Sequence, residues 1–436
     1  MFKKDFWKYF IKTYAEAKWL VLRYLIVAIY LTVSSIIANK MNLENLTYFN
    51  AIIAISYFAD LIGFGVSNGV GIYINQNINN KEKVDYYIKL GLYINFIVSI
   101  IFVIILASCY YPILHLLLGL GKNIKYSFYF IMLIYIFMLC TLNYFIHTFK
   151  ELKMFLSSLI ISIIQCILII VGFILVWLCF DLSLTLIPYI YIITTLIAII
   201  FCLIYFNKNS YYKINIFKFI KVKLTKEEFK IIWQLAGTQI IWQIGSTLLS
   251  YYILKSNKII FNQYSYFENI LDIFNGFYYS FVTITSIDIC RNLGQSKFDE
   301  TYKIGKYSIY ANFVIWFIYF ILSIAFFIPI KSGMSIDIQS QVFLSLVLYI
   351  TLHLFRFISW NIFSYIVCWG GKVKLIFWQE VVITFYFLIL YLIASYLPSN
   401  IFFIYFLIFI PPFVQTILGF IVFKKKDWMN ALTNKD

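Results

Sequence analysis

Charged residues are scarce in this 436-residue chain. They make up 12% of it, whereas hydrophobic residues make up 63%, and a soluble domain carries about 25% charged residues. Apolar runs of about 20 residues, long enough to cross a bilayer as a helix, recur along the whole chain. Lipid offers no partner to free backbone groups, so such runs must be helical. The composition excludes a soluble protein and predicts an all-α polytopic membrane protein.

Signatures of several other protein classes are missing. The seven cysteines have no paired spacing, so we expect no disulfide framework, no metal centre and no cofactor. No phosphate-binding loop of the ATPase type occurs, which excludes ATP-driven transport within this chain. The predicted external connections are short and poor in acidic residues. A multi-pass membrane glycosyltransferase, the minor alternative, needs a catalytic face outside the bilayer, so we predict that the chain is not an enzyme.

Acidic residues are outnumbered by basic ones, 19 against 35. We predict twelve spans, and with a cytoplasmic N-terminus most basic residues fall in inner segments. The outer segments hold only Lys40, Lys122, Lys125, Lys255, Lys258 and Lys331. This asymmetry predicts a bacterial inner-membrane protein with both termini in the cytoplasm. The basic charge is thereby explained without a nucleic-acid partner, and the first twenty residues, rich in Lys and aromatics, are typical of an interfacial amphipathic segment.

One long polar connection divides the chain into halves of six predicted spans. It separates an N-terminal lobe, residues 1–206, from a C-terminal lobe, residues 231–436, and is itself a basic cytoplasmic linker, residues 207–230. The segment 75–91 partly repeats in 290–305, and both lie between the second and third span of their half. Because an even number of spans precedes the linker, both halves enter the membrane from the same side and are parallel repeats. Such repeats are typical of transporters with a substrate path between two bundles.

Ionisable residues inside spans cost a few kcal/mol and therefore need a partner or a wet cavity. Asp60 lies near the middle of the second span. Glu268, Asp272 and Asn275 follow one another at spacings of four and three in the eighth span, which places them on one helix face. We expect these acids to flank a cleft and to exchange a proton or Na⁺ with either side of the membrane, with Glu268 and Asp272 as a possible Na⁺ site.

The tenth span contains His353 and Arg356 three residues apart. They are either counter-charges that contact cargo in the cleft or, in the alternative interpretation, structural partners of the buried acids. Gln239 and Gln243 in the seventh span are further polar candidates for the cleft. Other charged residues near span ends are expected to reach headgroups or to form surface pairs; these are Arg23, Lys255, His147 and Glu151.

Glycines are concentrated in the second span, at Gly63, Gly65, Gly69 and Gly71. The pair Gly65 and Gly69 has the small-xxx-small spacing that lets membrane helices approach closely. The four glycines predict a helix that packs tightly or flexes. No strand precedes them, so a dinucleotide fingerprint is excluded.

Two loop motifs resemble the multidrug and toxic compound extrusion (MATE) family. They are "NQNINNKEK" (75–83) after the second span and "NLGQSKFDE" (292–300) after the eighth, and "CWGGKVKLIFWQ" (368–379) resembles the family's Gly-Gly turn before the eleventh span. The resemblance implies twelve helices in two pseudo-symmetric six-helix lobes around a central cleft. It also implies export driven by a proton or Na⁺ gradient. The family's first-span acid has no counterpart here, so either the coupling site is displaced or the chain lacks ion coupling.

The resemblance leaves two cargoes open. Acidic residues outnumber the basic ones at mid-depth, which favours export of small amphipathic or cationic compounds by a monomer in contact with membrane lipids. The broader superfamily also contains flippases for lipid-linked oligosaccharides of the capsule or O-antigen type. That alternative requires several basic residues facing the cleft.

Overall fold

The structure is a computed structural model that describes residues 2–39, 43–110, 126–180, 186–209, 224–330 and 336–432. Within these ranges the chain forms α-helices and no β-strand, which confirms the predicted all-α, twelve-helix fold class. The helices are α1 Phe2–Asn39, α2 Leu43–Gln76, α3 Lys81–Ser108, α4 Tyr126–Glu151, α5 Phe155–Phe180, α6 Ile187–Asn209, α7 Lys226–Ser256, α8 Lys258–Gly294, α9 Phe298–Ile330, α10 Ile336–Trp360, α11 Val373–Ile393 and α12 Ile401–Lys425.

The helices have the length and surface of membrane spans. Among the described residues, eight helices are long and apolar enough to cross a bilayer. Large apolar side chains lie exposed along them, for example Ile104, Leu178 and Phe385 at 58%, 72% and 61% exposure. Such surface is costly in water and favourable in lipid. The chain is therefore an integral membrane protein.

The chain folds as two compact units. The N-terminal unit is Leu22–Ile240, and the C-terminal unit combines Met1–Val21 with Ile241–Asp436. Both boundaries fall inside helices, namely α1 and α7. The ends of the predicted linker 207–230 are helical, because α6 runs to Asn209 and α7 begins at Lys226; residues 210–223 lie outside the described ranges. The predicted lobe limits stay a prediction.

Within the N-terminal unit, α2 packs against α3 and α4, α4 packs against α3 and α6, and α5 packs against α6. Aromatic residues fill the core. Phe149 stacks on Phe206 with ring centroids 4.2 Å apart, and the buried Tyr144 hydroxyl donates to the Ile88 carbonyl at 2.7 Å. These contacts fix α4 in the middle of the unit.

The C-terminal unit repeats much of this neighbour pattern. Helix α8 packs against α9, α9 against α10, and α10 against α12, as α2, α3, α4 and α6 do in the other unit. Helix α10 continues into a π-helical segment, Asn361–Val367. The start of α1 belongs to this unit, and its Tyr9 hydroxyl lies 2.9 Å from the Thr285 hydroxyl of α8.

The two loop motifs form similar short turns. After α2, Asn80 caps α3 by accepting from the Lys83 amide, and its own amide donates to the Asn77 carbonyl at 2.8 Å. After α8, the Gln295 amide donates in the same way to the Asn292 carbonyl at 3.1 Å. Each turn reverses the chain between the second and third helix of its half. The sequence repeat thus corresponds to a local structural repeat.

Candidate functional site

A buried ion pair lies in the C-terminal unit. Arg356 of α10 donates through Nη1 to Glu268 Oε1 of α8 at 2.9 Å, and the Tyr349 hydroxyl donates to the same oxygen at 2.6 Å. The Arg356 guanidinium also lies over the Trp360 ring, 4.5 Å from its centroid. About a fifth of each charged side chain is exposed. This geometry agrees with the second interpretation of Arg356, in which it is the structural partner of a buried acid. The negative charge of Glu268 is therefore compensated.

A pocket of about 60 Å³ adjoins this pair. Trp242, Trp360, Phe409 and other apolar side chains form most of its wall, and Arg356 and Tyr264 belong to its lining. Ser246 and Thr384 also line it, as do two larger polar side chains, Glu380 of α11 and Gln415 of α12, which are 5% and 6% exposed. The Gln415 Nε2 atom has no hydrogen-bond partner among the described residues.

Glu380 is the acid of this pocket without a counter-ion. Within the described part of the chain, no basic nitrogen lies within ion-pairing distance of its carboxylate. The Glu268–Arg356 pair is internally neutral, so Glu380 supplies the pocket with one net negative charge when it is ionised. A buried carboxylate of this kind is stable only with a proton or a cation bound.

Sequence reasoning missed Glu380, although a signal was present. Glu380 lies in the apolar run "VKLIFWQEVVITFYFLILYLI" of α11. An acid inside a span needs a partner or a wet cavity, and this rule selects Glu380 as well as it selects Asp60. The Gly-Gly motif 368–379 ends one residue before it.

The other predicted residues of this unit lie in different surroundings. His353 is 2% exposed and sits among rings, with Tyr319 stacked on it at 6.2 Å; its Nδ1 has no hydrogen-bond partner among the described residues. Asn275 is buried and accepts from the Tyr319 hydroxyl at 3.5 Å. Gln243 is partly exposed. The Asp272 side chain lies outside the described residues.

The N-terminal unit contains a second cluster of charges, where α1, α2 and α4 meet. The Asp60 carboxylate is half exposed, and its Oδ1 lies 3.6 Å from His147 Nε2. His147 and Glu151 are 5% and 3% exposed, so the expected surface pair is wrong. The Asn75 side chain donates to Glu151 at 2.9 Å. Helix α4 therefore brings its polar end inside the bundle.

Two basic residues complete this cluster. Arg23 is 9% exposed and donates through Nε to the Ser162 hydroxyl of α5 at 3.0 Å. It does not extend to the headgroups, because Ser162 holds its guanidinium within the bundle. Lys150, at 3% exposure, places Nζ 5.9 Å from the Tyr24 ring and 5.8 Å from the Phe64 ring. Gln239, the remaining polar candidate of this unit, is partly exposed.

The four glycines of α2 all lie at helix contacts within this unit. A Cβ atom at Gly65 or Gly69 would lie 2.7 Å from Ala236 Cα or 2.8 Å from Ile232 Cα of α7. At Gly63 it would meet the Asn143 and Cys140 region of α4. At Gly71 it would meet the Glu151 carboxylate at 2.8 Å. Whether α2 also flexes stays a prediction.

Comparison with solved structures identifies the fold. A MOP superfamily transporter from Pyrococcus furiosus superimposes with a TM-score of 0.80 at 12% identity. An outward-facing multidrug resistance MATE family transporter of the MOP superfamily gives 0.76 at 13%, and a MATE protein in a straight conformation gives 0.77 at 13%. Each match covers 95% of both chains. The chain thus has the MATE transporter fold, which confirms the predicted resemblance. No protein-family model matches the chain, and no curated protein sequence does.

Proposed function

We propose that this protein is a secondary active transporter that moves an amphipathic compound across the membrane by alternating access of two lobes, coupled to a proton or Na⁺. The observation that carries the proposal is Glu380, a buried carboxylate in a pocket of the C-terminal unit that has no counter-ion among the described residues. The MATE fold supports transport but leaves ion and cargo open.

The pocket has the properties that ion coupling requires. An ion shifts a conformational equilibrium only when its affinity differs between the states. Glu380 lies among apolar and aromatic walls, so its affinity for a proton or cation changes strongly if a conformational change admits water. One proton entering down 100 mV supplies about 2.3 kcal/mol, enough for roughly fifty-fold accumulation of a neutral solute. The displaced coupling site that the sequence allows is therefore assigned to Glu380.

Export of small cationic amphipathic compounds agrees best with the chemistry of this pocket. Trp242 offers an aromatic face that attracts organic cations, and Glu380 offers the opposite charge. A glutamate and a tryptophan beside an apolar cavity suit a protonated amine with an apolar body. On this interpretation cargo and coupling ion compete for one carboxylate.

A second candidate, a flippase for lipid-linked oligosaccharides, is favoured by the buried cations Arg23 and Lys150 of the N-terminal unit. An anionic cargo would require buried basic residues of this kind. The P. furiosus transporter of the same fold is described as having a binding pocket of reversed polarity that suggests a different function. The same fold therefore occurs with binding pockets of different polarity.

The two cargoes predict different phenotypes. In a pump-deficient host, an exporter lowers ethidium accumulation when expressed, and Glu380→Gln abolishes the effect. A flippase leaves ethidium unchanged, and deletion of its gene removes surface polysaccharide. If expression alters neither dye accumulation nor surface polysaccharide, the proposed transport is wrong.

A further inference from the structure

Residues 426–431, here called the latch segment, follow α12 and fold back onto the Gly-Gly turn that precedes α11. Trp428 anchors this segment, because its side chain is 0% exposed. The Trp428 ring stacks on that of Phe423 with centroids 5.6 Å apart, and its Nε1 donates to the Phe423 carbonyl at 3.1 Å. The indole is thus enclosed within the C-terminal unit, and its one polar atom is satisfied.

The Gly-Gly turn is shaped to receive the latch segment. A Cβ atom at Gly370 would overlap Trp428 Cε3, so a residue with a side chain leaves no room for the indole. The Asn430 amide donates to the Gly370 carbonyl at 2.8 Å. Beside this bond, Lys372 Nζ lies 2.6 Å from Asp427 Oδ2. Packing, a backbone hydrogen bond and an ion pair therefore join the turn to the latch segment.

The turn follows the π-helical segment Asn361–Val367, which continues α10. The Cys368 amide donates to the Phe363 carbonyl, five residues back, at 3.0 Å. Segments of this kind are rare and often occur at functional sites. Rewinding it as an α-helix would turn the residues that follow by about 100° around the helix axis. Gly370 would then no longer face Trp428, so the π-helical register and docking of the latch segment depend on each other.

The latch segment is held by few contacts. Three of its six residues are exposed, and the side chains of the Lys372 and Asp427 pair are 37% and 53% exposed. A segment with so small a contact area opens at a free energy well below that of global unfolding. The other end of the π-helical segment is held inside the unit, because the buried Asn361 side chain donates to Ser308 Oγ of α9 at 2.9 Å.

We propose that the latch segment docks and releases, and that its release frees the π-helical end of α10 and the start of α11 to rearrange. The docked state is the one in the structure. Helix α11 begins at Val373, directly after the Gly-Gly turn, and carries Glu380 two turns further on. The latch segment therefore controls where α11 lies against α10. This role needs no transported ion or cargo, so it is tested separately from the coupling role of Glu380.

Native cysteines of the chain report the release. Cys368 and Cys290 adjoin the Gly-Gly turn and are 2% and 0% exposed; the Cys290 thiol donates to the Trp369 carbonyl at 3.4 Å. Cys109 is exposed and serves as the positive control. Cys202 is buried in the N-terminal unit and reports general unfolding.

The full chain is purified in a nonionic maltoside detergent and labelled with N-ethylmaleimide for timed intervals. Mass spectrometry of its peptides then gives a labelling rate for each cysteine. The main variant is Trp428→Ala, which removes the anchor. The matched control is Trp378→Ala, which removes a tryptophan of α11 that is 54% exposed. Asp427→Lys, alone and together with Lys372→Asp, tests the ion pair.

In the wild type, Cys368 should react faster than Cys202, because the latch segment opens without global unfolding. Trp428→Ala should raise the Cys368 rate by about tenfold or more, since the released fraction limits labelling of a buried thiol. The rates of Cys202 and Cys109 should stay as they are, and Trp378→Ala should leave all rates unchanged. Amide hydrogen exchange of residues 361–372 should quicken in Trp428→Ala alone.

The ion-pair variants give a second, milder perturbation. Asp427→Lys should raise the Cys368 rate by a smaller factor, because it places two positive charges side by side at an exposed position. Adding Lys372→Asp should reverse this rise, since the pair is then restored with its charges exchanged.

A Cys368 rate in Trp428→Ala equal to that of the wild type would overturn the proposal. So would a folded Trp428→Ala variant in which Cys202 accelerates as much as Cys368, because the segment would then support the whole chain and not the turn. If Trp428→Ala yields no folded protein, Asp427→Lys decides. A rise at Cys368 that Lys372→Asp reverses supports the latch, and an unchanged rate overturns it.

Discussion

At the scale of single residues, the C-terminal unit contains two buried carboxylates in opposite situations. Glu268 accepts hydrogen bonds from Arg356 and Tyr349, whereas Glu380 faces a pocket without a basic partner. A buried charge with a hydrogen-bonded counter-ion, as at Glu268, is compatible with a stable fold, whereas a buried charge without one, as at Glu380, lowers the free energy of unfolding. Active sites tolerate costs of this kind because the unpaired group is the one that can bind something else.

The ion pair gives the first prediction. Arg356→Gln leaves the Glu268 carboxylate buried and unpaired, so it should lower the free energy of unfolding by about 3 kcal/mol. The double variant Glu268→Gln, Arg356→Gln should recover most of this loss, since no charge then remains. Thermal melting midpoints of the two single variants and the double variant check it. Additive losses would show that the two side chains do not stabilise each other.

Glu380 gives the opposite prediction. Glu380→Gln keeps the shape of the side chain and removes the need to hold a proton or cation, so we expect a melting midpoint equal to or above that of the wild type. Glu300→Gln, which changes an exposed acid of the same unit, is the control and should leave the midpoint unchanged. A midpoint well below that of the wild type would mean that Glu380 has a structural partner.

Residue-scale features were the least predictable from the sequence. Asp60 and Glu268 could be selected because an acid in a span is exceptional, but their partners could not be selected. The sequence gives no distance between residues 60 and 147, or between 268 and 356. Arg23 was interpreted as a headgroup contact from its position near a span end, and Ser162 of α5, 139 residues away, is what retains it in the bundle.

At the scale of helices, α2 shows how small residues set the spacing between elements. Gly65 and Gly69 lie against backbone atoms of α7, which cannot move without shifting the whole helix. Gly172 of α5 instead faces side-chain atoms of Ile190, where a Cβ atom would lie 2.6 Å from the γ2 methyl group. The same chemical change therefore has different consequences at the two positions.

The element-scale prediction follows from that difference. Gly65→Ala should lower the free energy of unfolding by about 1–3 kcal/mol, because its new methyl group would lie 2.7 Å from Ala236 Cα. Gly172→Ala should cost less than Gly65→Ala, since only the Ile190 side chain has to shift and not the backbone of a neighbouring helix. Thermal melting of both variants is the measurement. A Gly65→Ala loss no larger than that of Gly172→Ala would contradict the close approach of α2 and α7.

Helices were predicted well in number and less well in extent. Apolar runs of span length mark twelve helices, because hydropathy reports what lipid requires. The first residues of α1 and α7 lie outside the predicted spans, because both helices begin in polar and basic segments that are not apolar enough to predict a span. Helix α1 begins at Phe2 and α7 at Lys226. Helix α1 is held there by contacts such as Tyr9 with Thr285.

At the scale of the whole molecule, the excess of basic residues in inner segments predicts two cytoplasmic termini. A fluorescent protein fused after residue 436 should therefore fluoresce in a bacterial host, because such fusions mature only in the cytoplasm. Alkaline phosphatase fused at the same position should be inactive. An active phosphatase fusion would invert the predicted topology and with it the direction assigned to each loop.

The fold itself was predictable because its signature is distributed over the chain. Twelve spans, a central polar connection and a loop motif repeated at matching positions indicate the MATE arrangement even at 12–14% identity to solved structures. The roles of single side chains have no such distributed signature, so the predicted cleft residues stay a prediction. Among the described residues, the buried Glu380 of the eleventh helix has no basic nitrogen within ion-pairing distance.

The most direct test of ion coupling at Glu380 is gradient-driven transport in proteoliposomes. A proton or Na⁺ gradient is imposed across vesicles that contain the wild type, Glu380→Gln or the control Glu300→Gln, and ethidium accumulation is followed by fluorescence. We predict accumulation by the wild type and by Glu300→Gln, and none above empty vesicles by Glu380→Gln. Gradient-driven accumulation by Glu380→Gln equal to that of the wild type would contradict the assignment of the coupling site to Glu380.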